Sequence, residues 1–322
     1  MPQHLGDVNA AQGPTALPRP TVDPSSPLSP ATHIISVRQG TSVIEQRYHV
    51  AGTGPVCLVH PGGPGIDWEY LRIPELERSM TMVYLEPVGT GASGRLADPR
   101  GYNLSTYTHF LHAVIEHLAL PKVILLGHSH GGFVAQRYAL DHPDRVASLI
   151  LYDTSPVTGD DFWRTAVANL EQFARRHVSE HPEVAGYVAG LTSRPDRFDD
   201  EGATAVLRTI APAYFHDYWG REDDFAPGRQ ALRMYAAPSW GEGPAFDVRE
   251  ELSAISAPTL VLVGDDDFIC GPHWARMIHK AVSGSQLTVL DRTGHLGHIE
   301  SSGEFTTAVV EFLSSVSGDR MR

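Results

Sequence analysis

The stretch Val123-Ile-Leu-Leu-Gly-His-Ser-His-Gly-Gly-Phe133 decides how the rest of the chain is read. An apolar run stops at Gly127, and Ser129 follows between two histidines, with Gly131 and Gly132 behind it. A short continuous apolar run that ends in glycine reads as a buried strand meeting a sharp turn. Gly127-His-Ser-His-Gly131 fits Gly-x-Ser-x-Gly, in which a tight strand-to-helix turn exposes a serine and tolerates no bulk two residues to either side. Ser129 is therefore the candidate nucleophile. The alternative is a glycine-rich turn holding an inert serine.

Working outward, similar runs recur: PVCLVH (55–60), TMVYLE (81–86), ASLILYD (147–153), PTLVLVG (258–264) and QLTVLD (286–291). Each is continuous rather than alternating, as a strand buried on both faces requires. Most are separated by helical spacing. Phe110, Leu111, Val114, Ile115 and Leu118 share one face of a helix read over Ser105–Leu118, and Gly132–Leu140, Pro272–Val282 and Glu304–Val316 are read as further helices. HIISVRQ (33–39) and SVIEQRYHV (42–50) read as strands joined at Gln39-Gly40-Thr41. The fold class is α/β, with a mostly parallel central sheet flanked by helices.

The alternation lapses between the strands at 147–153 and 258–264, where helical patterns and many aromatics occur instead. Unstructured loops of this length are rare in compact domains. Residues 156–247 are therefore expected to form a helical lid inserted into a core of residues 32–155 and 248–322. The alternative is a helical domain with no contact to the chemistry. Residues 1–31, rich in Pro, Ser, Ala and Gly, are expected to form a disordered tail.

Composition excludes several function classes. The net charge is −13, lysine occurs only at positions 122 and 280, and the arginines are scattered, so no nucleic-acid partner is expected. Two cysteines, Cys57 and Cys270, make neither a disulfide scaffold nor a Cys-x-x-Cys site. The N-terminus lacks the charged and apolar regions of a signal peptide, and no run of about eighteen apolar residues occurs. A soluble, cytoplasmic protein without a membrane partner is expected. Nothing in the sequence sets the oligomeric state.

A serine hydroxyl needs a base to take its proton. His295 follows Gly294 just after the last strand, and His298 is its rival. His295-x-x-His298-x-Glu300 also has the look of a metal site, but no further ligand cluster accompanies it, so neither metal nor cofactor is expected. The acid that orients the histidine is sought among Asp265, Asp266 and Asp267, or at Asp153. The oxyanion of acyl transfer needs preorganised N–H donors. The His130 amide is one; Gly63 is the expected second, with Gly62 as alternative, since Pro61 and Pro64 cannot donate. Cys270 is read either as an edge of the pocket or as a small buried residue.

With these residues in hand, the chain from about His33 onward resembles the α/β-hydrolase superfamily, and within it the proline iminopeptidase group. The resemblance rests on Pro61-Gly-Gly-Pro-Gly65, Gly127-His-Ser-His-Gly-Gly132 and Gly264-Asp-Asp-Asp-Phe-Ile-Cys270. It implies Asp267 as the acid and His295 as the base. Two departures stand out. The group's Asp-Gln-Arg-Gly is here Glu86-Pro-Val-Gly-Thr-Gly91, and its Trp-x-x-Trp-Glu lid segment has only Trp240-Gly-Glu242 as counterpart. Glu171, Glu201, Glu222, Asp223 and Asp224 are the other candidates for holding a substrate amine, or else they are solvated helix faces.

The expected activity is that of a serine hydrolase working through an acyl-enzyme on a small molecule or short peptide. The resemblance implies release of an N-terminal residue, as by a proline iminopeptidase. The alternatives are an esterase, lactonase or amidase acting on an apolar metabolite without a free amine, and lyase, cyclase or receptor function on the same fold.

Overall fold

The computed structural model describes residues 26–193, 199–239 and 245–318. Eight strands form one sheet: β1 (Thr32–Gln39), β2 (Ser42–Gly52), β3 (Val56–His60), β4 (Thr81–Glu86), β5 (Val123–His128), β6 (Val146–Tyr152), β7 (Thr259–Gly264) and β8 (Gln286–Leu290). Their spatial order is β1-β2-β4-β3-β5-β6-β7-β8. β2 runs antiparallel to both its neighbours, and every pairing from β4 onward is parallel.

The continuous apolar runs become the central strands because both faces are covered. Every residue of β4 and β7 is buried. Along each strand the side chains alternate between two cores. Leu58, Val83, Leu125, Leu149, Leu151 and Val261 point to one face, with Phe110, Leu111, Val134, Tyr138 and Ile278. Val59, Met82, Tyr84, Leu126, Ile150 and Leu262 point to the other, with Phe305, Val309 and Phe312. The first face is covered by helices Leu104–His117, His130–Asp141 and Pro272–Ala281, the second by helix Ser302–Gly318.

β3 lies between β4 and β5, so the chain leaves it to one side and returns on the other. In open parallel sheets the crevice at such a reversal, beyond the carboxyl ends of the strands, is where ligands bind. The loop after β3 and the turn after β5 meet there.

Between the adjacent strands β6 and β7 the chain makes an excursion with helices Asp160–His177, Asp200–Ile210 and Glu222–Ala231. A bridge between Val157 and Asp247 joins the points where it departs and returns. Leu170, Phe173, Val184, Tyr187 and Ile210 pack together as a core of its own, which also takes in Phe268.

Of the expected disordered tail, residues 1–25 lie outside the described residues. Residues 26–31 instead form ordered turns: Leu28 packs against the main core, Ser29 is buried, and the Pro27 carbonyl accepts the Tyr48 hydroxyl. Trp240 and Glu242 also lie outside the described residues. No described helix is long and apolar enough to cross a membrane.

Candidate active site

Ser129 sits between β5 and the helix His130–Asp141 with φ of 54° and ψ of −121°. A positive φ at a non-glycine residue costs on the order of 1–3 kcal/mol and persists only where surroundings fix it. Here the backbone is held at three points. Its N–H donates to the Tyr152 carbonyl at 3.0 Å, and its carbonyl accepts the Gly132 N–H and the Thr154 hydroxyl, each at 2.8 Å. The neighbouring glycines are required by contact: a Cβ on Gly131 would overlap the His60 carbonyl oxygen, and one on Gly127 would overlap the Gly131 carbonyl.

His295 lies on the loop after β8, and its Nδ1 is 2.8 Å from Asp267 Oδ2. The other oxygen of Asp267 accepts the N–H groups of Ile269 at 2.9 Å and Cys270 at 3.0 Å, which fixes the carboxylate's orientation. The two remaining aspartates face elsewhere. Asp265 accepts the Thr293 N–H, and Asp266 pairs with His216 and Arg176. Asp153, the alternative acid, is fully buried at the end of β6 with Oδ1 accepting the Gly264 N–H. Burial, and then the nearby Asp267 charge, raise its carboxyl well above the ordinary carboxylate range, which makes it the poorer partner for an imidazolium.

The rival base His298 is spent on structure. Its Nε2 is 2.8 Å from the Tyr70 carbonyl and its Nδ1 is 3.0 Å from the Tyr152 hydroxyl. Glu300 accepts the N–H groups of His216, Asp217 and Gly294. His295, His298 and Glu300 thus have separate partners and do not converge on a metal position.

The Cys270, Asp267 and His295 ligand atoms lie within 4.8 Å of one another. Burial, with the charges of Asp267 and Asp153, raises the thiol's pKa well above its usual value, so Cys270 is a thiol and not a competing nucleophile. Catalytic hydrogen bonds in unliganded enzymes are often loose and tighten with substrate.

The two expected oxyanion donors fall on either side of the serine. His130 opens its helix, so its N–H has no intrahelical acceptor. Gly62 approaches so closely that a Cβ there would stand 3.0 Å from Ser129 Cβ, but its N–H already donates to the Tyr70 hydroxyl at 2.7 Å. Gly63, at φ of 124°, has no acceptor for its N–H among the described residues and lines the same cavity as Ser129. The departing loop Glu86–Gly91 is tied by Glu86, whose carboxylate accepts the Ala92 and Ser93 N–H groups and faces His49 Nε2.

A cavity of about 710 Å³ opens over Ser129. Phe133, Phe162, Trp163, Phe246, Val248 and Ile269 supply its apolar wall, and Asn103, Ser105, Tyr107 and His130 a more polar one. The excursion between β6 and β7 therefore contributes directly, and the reading in which it stands apart from the chemistry fails. Its Tyr214 carbonyl also accepts the His295 N–H at 2.8 Å. Tyr70 carries no sequence signal: it acts across long chain separations and sits in no local motif.

Residues 55–302 match a family model described as alpha/beta hydrolase fold. A proline iminopeptidase of Lactobacillus acidophilus is 26% identical over 294 residues, spanning 84% of this chain and 95% of that protein. A 2-hydroxymuconate semialdehyde hydrolase of a Pseudomonas strain is 27% identical over 283 residues, spanning 84% and 91%. Among solved structures, a thermophilic esterase from Thermogutta terrifontis superposes with a TM-score of 0.64 at 26% identity, covering 88% of this chain and 99% of its own. With the match spanning most of the sheet and the serine turn within it, the chain belongs to the alpha/beta hydrolase fold family of enzymes.

Proposed function

We propose that the protein is a serine hydrolase that forms an acyl-enzyme on Ser129 and acts on small, mainly apolar esters or amides that carry no free amine. With substrate bound, the Ser129 hydroxyl donates to His295. His295 Nε2 takes its proton while Oγ bonds to the carbonyl carbon, and the carbonyl oxygen becomes an anion held by the Gly63 and His130 N–H groups. Collapse of this intermediate breaks the bond to the leaving group, which takes the proton from His295. Water then repeats the sequence on the acyl-enzyme and releases the acid. Asp267 keeps the Nδ1 proton in place and balances the transient imidazolium.

The observation that carries the substrate class is the charge lining of the cavity. Among its described residues the only carboxylate is Asp247, which is paired with Arg249, and the only cation is Arg137, which is held by Asp141 and Glu251. Glu171, Glu201, Glu222, Asp223 and Asp224 are all exposed and none lines this cavity. Among the described residues of the lining, a substrate ammonium would find no unpaired counter-charge.

A second reading, release of an N-terminal prolyl residue, is favoured by Pro61–Gly65 and by the relatives named proline iminopeptidase. Turnover of prolyl 4-nitroanilide, its N-acetyl derivative and 4-nitrophenyl butyrate separates the two. The proposed class predicts that the ester is cleaved and that acetylation does not slow the anilide. Activity confined to the free-amine anilide would overturn it. For the cell, we propose a cytoplasmic enzyme with no nucleic-acid or membrane partner, in keeping with its charge and composition.

A further inference from the structure

Behind Ser129, two side chains with no part in the proton transfers tie together loops from distant parts of the chain. The Gly62 N–H donates to the Tyr70 hydroxyl at 2.7 Å. That hydroxyl is 2.7 Å from His128 Nδ1, and His128 Nε2 is 3.0 Å from the His295 carbonyl oxygen.

The direction of each bond is forced. A carbonyl oxygen only accepts, so His128 Nε2 carries a proton. The ring is fully enclosed, and burial, then the neighbouring His295 and His298, hold its pKa well below the ordinary value, so it is neutral and Nδ1 keeps its lone pair. Tyr70 must therefore donate to Nδ1, which leaves the phenol oxygen to accept the Gly62 N–H. Tyr70 is anchored a second time through its carbonyl, which accepts from His298 Nε2 at 2.8 Å. The relay thus runs from the oxyanion loop, through the residue before the nucleophile, to the backbone of the base.

We infer that Tyr70 and His128 are positioning residues that hold the Gly63 amide and His295 in register with Ser129. The inference rests on the acyl-enzyme reading of Ser129. It also accounts for a histidine directly before the serine: two ring nitrogens on opposite edges bridge a donor and an acceptor that face each other across the turn. Committing the Gly62 N–H to Tyr70 orients the next amide, that of Gly63, as the free donor. Misplacing reacting groups by about 1 Å lowers rates by up to roughly a hundredfold.

The test uses Tyr70→Phe, which removes only the hydroxyl, and a neutral fluorophosphonate that reacts with activated serines. The expected result is a maximal labelling rate lowered roughly 10- to 100-fold, with the probe's half-saturation unchanged. An unchanged rate, or a loss confined to half-saturation, overturns the inference. Should Tyr70→Phe not fold, nitrogen-15 NMR of histidine-labelled wild-type protein decides. His128 as the neutral Nε2–H tautomer at pH 7 supports the relay, and an Nδ1–H or cationic ring overturns it. Wild-type protein that does not label at all refutes the Ser129 reading instead, and the tautomer measurement still reports on the relay.

Discussion

Asp267 Oδ2 lies 2.8 Å from His295 Nδ1, and both side chains are withdrawn from solvent. A second carboxyl, Asp153, has a ligand oxygen within 4.8 Å of ring nitrogens of His128 and His295. The two acids are told apart by environment. Two backbone N–H groups hold Asp267 in place as the acceptor facing His295, while burial raises the Asp153 carboxyl well above the ordinary carboxylate range.

Asparagine substitution should therefore separate them. Asp267→Asn is expected to lower kcat by on the order of 10⁴, because the amide favours the wrong imidazole tautomer. Asp153→Asn keeps an acceptor for the Gly264 N–H and should leave kcat within about threefold. Parallel kinetics on 4-nitrophenyl butyrate check the pair; equal losses would contradict the assignment.

The serine turn predicts a contrast between glycines. Gly131→Ala drives a Cβ into the His60 backbone carbonyl, which cannot move without shifting β3. It should lower stability by about 1–3 kcal/mol and abolish fluorophosphonate labelling. Gly186→Ala meets nothing within 4 Å at a φ of −88° and should stay within about 0.5 kcal/mol of wild type. Urea denaturation of both variants measures this.

Acid stability follows from enclosed histidines. Burial first, together with smaller local effects, lowers His60 and His298 to about 4, His130 to about 3, and His128 well below its usual value. The folded chain keeps them neutral where the unfolded chain, with ordinary values near 6.5, takes up protons. Their contribution is full above about pH 7 and is lost as pH falls through 6 toward 4. Asp153 acts in the opposite sense, since its raised carboxyl binds a proton in the folded state that the unfolded chain releases. The four rings outnumber this one carboxyl, so together these groups lose stability in acid. Urea midpoints at pH 7.5, 6 and 5 should fall steeply over the last interval; a flat profile would show that these rings are not held neutral.

Cavity shape should set acyl preference. Phe246 stacks on Phe133 with ring centroids 5.0 Å apart, and both line the cavity over Ser129. Phe246→Ala should move the optimum among 4-nitrophenyl esters toward longer acyl chains, with each added methylene gaining up to about 1–3 kcal/mol of discrimination. A chain-length profile identical to wild type would place the acyl group elsewhere.

Much of this was legible in the sequence because a strand buried on both faces leaves a continuous apolar run. Each of the central runs, from PVCLVH to QLTVLD, became a strand with at most small end shifts. Ser129 and His295 were legible for a related reason: turn glycines and strand ends mark where side chains gather at the sheet's edge. Asp267 was different. Asp265, Asp266 and Asp267 are chemically alike and adjacent, and only the resemblance to known enzymes chose among them before the Oδ2–Nδ1 contact was seen. Gly63 was expected ahead of Gly62, and the Gly62 amide donates to the Tyr70 hydroxyl. Tyr70 left no trace, because a phenol becomes part of a site only through a neighbour remote in the chain. Residues 26–31 misled by composition: the proline- and serine-rich texture hid Leu28, whose packing orders the segment.

The central claim is that Ser129 is the nucleophile, activated by His295. Fluorophosphonate labelling of wild-type protein, Ser129→Ala and His295→Ala, followed by mass spectrometry of the labelled peptide, tests it most directly. The account predicts one adduct per wild-type chain, on Ser129, none on Ser129→Ala, and labelling of His295→Ala slowed by several orders of magnitude. An adduct that persists on Ser129→Ala, or forms on another residue of the wild type, would contradict it.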